Sequence, residues 1–427
     1  MPNNAQLDIA WVRDQFPGLK SDWVFFDNAG GSQILNQAVE RIKQFLLEKN
    51  VQIGGSYEVS KAAAAALLEA RKAGQLLVNA SRPEEIVFGH STTVLMQNLV
   101  ESMRRQLAPG DEVIVTNADH ESNIGPWLRL EEFGIKVIFW QLDKDSLTLH
   151  LDDLGKLMNE RTRLVAVHHV SNILGEVNPV REIADYVHHR GARLCVDAVA
   201  YAPHRAIDVQ ELNVDYYIFS LYKTFGPHIA MMYGKYDHLL ELDTLYHYFY
   251  GKDKVPGKLE AGNPNYELAY SLTAITAYLQ ELGKRCGAPA SSEPRALIET
   301  AFSAIAAQEI ALTQRFLDWA KQHPDITVVG RDTVGNGNRI ATISFTAKGW
   351  APEALCRKID EYHVAIRHGD FHSRRLIEDL GLAEAGGVVR LSMVHYNTLE
   401  EVDRLTNALD ETLGQEASGT APVKASA

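Results

Sequence analysis

The sequence predicts an α/β protein: a mainly parallel, seven-stranded sheet with helices on both faces, followed by a smaller α+β domain. Two observations predict it. Between about residues 85 and 235, apolar strand-like runs alternate with helical patterns, the arrangement of a largely parallel sheet covered by helices. The 427 residues also exceed what one ordinary core organises, so a large domain with a companion is the natural division.

In chain order the strand-like runs are Glu85-Ile-Val-Phe, Asp111-Glu-Val-Ile-Val, Lys136-Val-Ile-Phe-Trp, Arg163-Leu-Val-Ala-Val, Arg193-Leu-Cys-Val, Tyr216-Tyr-Ile-Phe and Ile229-Ala-Met-Met-Tyr. Ligands of such sheets gather beyond the carboxyl ends of the strands. Thr92, His120, Asn172, Asp197 and Lys223 sit at or just past such ends and are expected to converge on one crevice. After Gly283 the pattern changes to a long helical stretch over 293–322, a strand at Arg339-Ile-Ala-Thr-Ile-Ser-Phe, a helix from Pro352 and a last helix from about Thr398. The expected division is an N-terminal segment (1–25) joining the small domain, a large domain (26–283), a small α+β domain (284–413), and a polar, Pro-containing disordered tail (414–427).

Composition narrows the function. With 42 basic against 55 acidic residues the formal charge is −13, and without a basic block nucleic acid is not an expected partner. The N-terminus lacks a basic region leading into an apolar one, and no apolar run stands out as membrane-spanning, so a soluble, cytoplasmic protein is expected. The cysteines, Cys195, Cys286 and Cys356, are widely separated and lack C-x-x-C spacing. They read as small buried hydrophobes rather than a disulfide or zinc framework.

The chemistry is carried by two strand ends. Asp215-Tyr-Tyr-Ile-Phe-Ser-Leu-Tyr-Lys223-Thr-Phe-Gly-Pro227 closes an apolar run with a lysine, and Arg193-Leu-Cys-Val-Asp197 closes another with a carboxylate. A Schiff-base amine and an acid that keeps a pyridine nitrogen protonated are what pyridoxal 5'-phosphate (PLP) requires. The other requirements also have candidates. Gly89-His-Ser-Thr-Thr93 precedes a helical run and offers hydroxyls and backbone N–H groups to a phosphate. His120 can lay a flat ring on the pyridine, and Asn172 can donate to its phenolic oxygen. Taken singly these would be an N-cap, a loop residue and a turn residue. His168-His169 is a weak metal candidate because adjacent strand residues point to opposite faces.

With these residues in place, the chain resembles the class V aminotransferase group of fold-type I PLP enzymes, and within it the cysteine desulfurase-like proteins. The resemblance rests on Phe26-Asp-Asn-Ala-Gly-Gly31, Asp119-His-Glu-Ser-Asn-Ile-Gly-Pro-Trp127, Val170-Ser-Asn-Ile-Leu-Gly-Glu-Val-Asn-Pro179, Val196-Asp-Ala-Val, Ser220-Leu-Tyr-Lys-Thr-Phe-Gly-Pro227, Glu260-Ala-Gly-Asn-Pro264 and Arg390-Leu-Ser-Met-Val-His-Tyr-Asn-Thr398. It implies that Lys223 is the Schiff-base lysine and proton shuttle, Asp197 the pyridinium partner, His120 the stacking ring and Asn172 an oxygen ligand. It places Val199 on the opposite ring face, with Thr93, Ser220 and Tyr222 at the phosphate beside Thr92. Asn263 would reach the neighbouring subunit's phosphate in a homodimer with shared active sites. Arg390 would pair with the substrate α-carboxylate, with Ala29, Gly30, Arg367 and His372 also near the substrate.

Two departures bear on the reaction. Desulfurases need a mobile cysteine to carry the persulfide, but Val364-Ala-Ile-Arg-His-Gly-Asp-Phe-His-Ser-Arg374 contains none, and His372 falls near its place. Ala200 stands where desulfurases carry a glutamine near the phenolic oxygen. What remains is sufficient for an external aldimine and Cα deprotonation by Lys223. The leading expectation is a desulfurase-like C–S (β-elimination) lyase acting on an amino acid without an enzyme persulfide. The alternatives are an aminotransferase or amino-acid epimerase, and a non-catalytic binding protein of the same fold. His368, Asp370, His372 and Arg374 form either a substrate-side-chain pocket or a solvated loop, and Tyr57 lies in a Gly-rich loop resembling a cross-subunit substrate loop.

Overall fold

A computed structural model describes residues 7–335 and 337–414. Except for Gly414, the expected tail lies outside the described residues. The strands are β1 (Val24–Phe25), β2 (Ile86–Gly89), β3 (Glu112–Thr116), β4 (Lys136–Trp140), β5 (Thr162–His168), β6 (Arg193–Asp197), β7 (Tyr216–Ser220), β8 (Ala230–Gly234), β9 (Ile326–Val329), β10 (Thr342–Ala347), β11 (Val364–Ala365), β12 (Arg367–Gly369) and β13 (Val388–Ser392). Each of the seven runs read from the sequence between 85 and 235 forms a strand of one sheet, in the order β2-β8-β7-β6-β5-β3-β4. Pairing is parallel except at β8, which runs antiparallel to both of its neighbours. The result is the predicted α/β architecture.

Both faces of this sheet are covered, which explains why its strands are apolar throughout. Along β6 and β7 the side chains alternate between two cores: Leu194, Val196, Tyr217 and Phe219 pack on one side, Cys195, Tyr216 and Ile218 on the other. The helix Val180–His188 buries Val180, Ile183, Ala184 and Val187, a one-face helical spacing, against the first side. The helix Thr92–Arg104 buries Leu95, Met96, Leu99, Val100 and Met103 against the second.

The C-terminal part builds an antiparallel sheet, β12-β13-β10-β9, around its own core of Leu312, Phe316, Ile343, Phe345, Leu391 and Leu405. β1 joins this part by pairing with β11, whereas Val12 and Phe16, earlier in the same segment, pack in the large core. The strand expected from Arg339 starts instead at Thr342, because Arg339 turns inward and donates to the Thr342 carbonyl at 2.9 Å. The helix Pro294–Ala320 corrects a second expectation: it is long and apolar enough to cross a membrane by length and composition. Here its first half, with Ile298 and Phe302, lies in the large core, and its second half, with Phe316, in the small one. Its apolarity thus serves two cores at once.

Candidate active site

The predicted cofactor residues of this chain meet at the carboxyl edge of the large sheet, around a pocket lined by Thr92, Thr93, His120, Asn172, Asp197, Val199, Ala200, Ser220, Tyr222 and Lys223. Topology explains the convergence. β3, β5, β6 and β7 run parallel, so the residues ending them leave the sheet on the same side.

Lys223 ends a short 3-10 turn after β7. The stretch that follows β1 pins that turn, since Ser32 N–H donates to the Tyr222 carbonyl and Phe225 N–H to Ser32 Oγ, at 3.0 and 2.9 Å. Among the described residues the Lys223 amine has no hydrogen-bond partner. Burial, helped by the charge of Arg390, pushes its pKa down to about 8, the direction that makes a lysine a competent nucleophile and base. Asp197, at the end of β6, moves the other way: burial raises it to about 6 against the opposing Val199 N–H, which donates to its Oδ1 at 2.9 Å. This is a carboxylate waiting for a cation.

His120 is held by its own turn. Its Nδ1 accepts from Ser122 N–H at 3.1 Å, and burial, with the Lys223 charge adding, pushes it down to about 3. The ring is therefore neutral and fixed at the cavity wall. Thr92 Oγ1 and Ser220 Oγ lie 2.7 Å apart at the start of the helix Thr92–Arg104, where Ser91 Oγ caps Val94 N–H at 3.2 Å and the N–H groups of Thr92 and Thr93 precede the first intrahelical bond. Tyr222 lines the same cavity, its ring stacked on His228 at 4.7 Å.

Asn172 has a task that sequence alone did not show. Its Nδ2 donates to the Phe371 carbonyl at 3.0 Å and its Oδ1 accepts from Ser373 Oγ at 2.8 Å, which leaves one amide hydrogen for another acceptor. These bonds hold Phe371 and His372, whose φ values of 51° and 59° are left-handed conformations that cost a non-glycine residue about 1 kcal/mol or more each. Glu121 N–H donating to the His372 carbonyl at 2.7 Å secures the same turn. It brings the His372 ring to 5.2 Å from His120. Of the polar cluster expected here, His372 reaches the site, Asp370 caps the turn through His372 N–H at 3.0 Å, and Arg374 pairs with Glu378 on the surface at 2.8 Å.

Arg390 on β13 is buried. Its Nη1 donates to the Asn172 carbonyl at 3.2 Å, its Nη2 to Asp27 Oδ1 at 3.1 Å, and its Nε is a buried donor without an acceptor. The guanidinium lies 3.7 Å over the Phe371 ring. Arg367 faces it across the strands in register and reaches Asp27 Oδ2 at 3.5 Å. Ala29 and Gly30 are adjacent, but their N–H groups already bond Ser392 Oγ and the Asp27 carbonyl. Asn263, at φ 70°, is exposed and outside this chain's cavity, as is Tyr57.

Several polar residues at the site were not singled out from the sequence. Asp27 is one, although it stands inside the Phe26–Gly31 landmark. Asp119 is another, joined at 2.9 Å to His168, which the sequence offered only as a weak metal candidate and which lines the cavity. His169 points to the opposite side, stacked on Tyr201, as the strand alternation predicted. The cysteines are buried, with burial raising Cys195 well above its ordinary value and Cys356 to about 12. Among the described residues no thiol lines the cavity.

These residues fit PLP. An unpaired amine, a buried acid with a raised pKa and hydroxyls at a helix N-terminus match the cofactor's aldehyde, ring nitrogen and phosphate, and an unsatisfied guanidinium donor matches a substrate carboxylate.

Comparison with known proteins agrees. The family model "Aminotransferase class-V" matches residues 24–405. Aminotransferase-like protein FGM3 of Gibberella zeae is 41% identical over 96% of this chain and 100% of its own. Cysteine desulfurase-like protein ustD of Aspergillus flavus is 32% identical over 96% and 92%. The cysteine desulfurase CsdA of Escherichia coli superposes with a TM-score of 0.81 at 27% identity, covering 95% of this chain and 98% of that one. The apo cysteine desulfurase of Thermococcus onnurineus NA1 gives 0.84 at 26%, covering 96% and 98%. The protein thus belongs to the class-V aminotransferase family, PLP-dependent enzymes acting on small amino-acid substrates.

Proposed function

We propose that this enzyme is a C–S lyase that eliminates the β-substituent of a cysteine-like amino acid without forming an enzyme persulfide. One observation carries the reading: the segment where a desulfurase would hold its thiol presents His372 beside His120, and the chain's cysteines are buried outside the cavity. When bound, PLP supplies the electron sink that makes the substrate Cα–H acidic.

The residues divide the remaining work. Arg390 holds the α-carboxylate in its guanidinium fork, with Nε and the free Nη hydrogens as donors. Asp197 keeps a proton on the ring nitrogen, an ionic contact that offsets the burial of its carboxylate. Lys223, once free, accepts the α-proton. The electron pair left on Cα forms a Cα–Cβ double bond as the Cβ–S bond breaks with its electrons on sulfur. Water at the open side of His372 protonates the departing thiolate, and the released enamine hydrolyses to pyruvate and ammonia. His120 closes one wall, Val199 packs opposite, and Thr92, Thr93, Ser220 and Tyr222 cradle the phosphate. We also infer a cytoplasmic homodimer in which Asn263 serves the neighbouring site.

The test uses a variant with Cys195, Cys286 and Cys356 all changed to Ala, incubated with cysteine, cystine and cysteine conjugates. Pyruvate and sulfide or thiol should appear at rates within about threefold of the parent, with no protein-bound sulfane sulfur in either. Loss of turnover in the folded variant would assign the reaction to an enzyme thiol. If neither protein formed product, and a pyridoxamine form or α-proton exchange appeared instead, transamination or epimerisation would replace elimination.

A further inference from the structure

The geometry points to Asp27 as a specificity-determining residue that restricts this site to substrates bearing a single carboxylate. The inference rests on the reading of Arg390 as the carboxylate receptor and extends it to the substrate's other end.

Arg367 and Arg390 are directly opposed across β12 and β13, so two guanidinium groups share one face of the sheet. Like charges in that arrangement repel. Asp27 answers both, placing Oδ1 at 3.1 Å from Arg390 and Oδ2 at 3.5 Å from Arg367. Its position is built into the backbone. Asp27 forms a parallel bridge to Ser392 on the strand that carries Arg390. The chain then folds back over its carboxylate at Gly30, where a Cβ would come within 2.5 Å of Asp27 Oδ2.

Charge counting gives the consequence. Two guanidinium groups against one fixed carboxylate leave a single positive charge, which one substrate carboxylate neutralises. The more enclosed arginine, with a side-chain exposure of 3% against 56% for Arg367, has the unpaired Nε and is the better receptor. A second acidic group on the substrate would have to compete with Asp27 for Arg367, next to a like charge. Asp27 acts through the arginines and is a positioning residue. As a merely structural bridge it would affect stability but not the ratio of monoacid to diacid binding.

The test measures binding of propionate and succinate to the PLP-loaded protein by titration calorimetry. The parent should bind propionate at least as tightly as succinate. In Asp27→Asn, which keeps the shape and removes the charge, the ratio should shift about tenfold toward succinate, the order of one partly exposed ion pair. Arg390→Lys should weaken both acids tenfold or more.

A folded, PLP-loaded Asp27→Asn protein with the parent's ratio would overturn the inference and leave Arg390's role standing. Unchanged propionate affinity in Arg390→Lys would instead remove the carboxylate-receptor reading. If Asp27→Asn does not fold, Arg367→Gln decides. There Asp27 is left to Arg390 alone and competes harder, so propionate should bind several-fold more weakly, and unchanged affinity would overturn the inference.

Discussion

Replacing Asp197 with Asn separates the stability of the cofactor-free protein from its function. Burial raises the carboxyl from 3.8 to about 6. Because the folded state holds this proton more tightly than the unfolded chain, the contribution of Asp197 to stability is most favourable below about pH 4 and declines as pH rises toward 6. Above that, the buried carboxylate costs about 3 kcal/mol, two pKa units at 1.36 kcal/mol each. Asparagine does not ionise and its Oδ1 can still accept from Val199 N–H. Cofactor-free Asp197→Asn should therefore gain on the parent by about 3 kcal/mol between pH 4 and 7. For a chain of this size that is a few degrees in melting temperature. Loading PLP should reverse the order, because a pyridinium stabilises the carboxylate but not the amide, and turnover should fall by at least a hundredfold. Melting curves of both proteins, with and without PLP, across pH 4–8 provide the check. A gap that does not change with pH, or an Asn variant that retains PLP affinity and turnover, would refute the assignment of Asp197 as the buried ring acid.

Other expectations follow from the same physics. The Lys223 amine, held down to about 8, should capture PLP at a rate that rises tenfold per pH unit and levels off near 8, as followed by stopped-flow absorbance; a rise continuing to the ordinary lysine range would refute the depression. Lys223→Ala should abolish both the visible absorbance and turnover. Lys258 is buried and donates to the carbonyls of Leu240, Leu242 and Lys252 at 3.1, 2.6 and 2.9 Å. Lys258→Met should lower the melting temperature, although it removes a desolvated charge, because three carbonyls lose their donor. Thr398 and Glu401 form a reciprocal capping box at the last helix, so Thr398→Ala should cost about 1 kcal/mol by denaturant titration and leave turnover unchanged.

The large sheet was legible because its strands are buried on both faces, so each announces itself as an apolar run. The smaller sheet was less so. β12 is Arg367-His-Gly, with no apolar residue, and β13 carries a buried arginine at its centre. Neither looks like a strand until its neighbours are known. The same holds at the site. Lys223 and Asp197 stand at strand ends, where local pattern predicts a ligand. Asp27 is nearly 200 residues from Lys223 in the chain and gains meaning only from the two arginines that close on it.

Local sequence therefore determined the sheet and the lysine and carboxylate at its strand ends, since each depends on residue type at a position that periodicity can locate, whereas the place where a desulfurase would carry its thiol followed from the family resemblance. Tertiary structure alone decided what surrounds the substrate. The left-handed turn at Phe371 and His372, the diversion of Asn172 to hold it, and the shared counter-ion of Arg367 and Arg390 arise where distant segments meet. Their conformations are held by bonds from segments distant in the chain, which offset the strain and the charge.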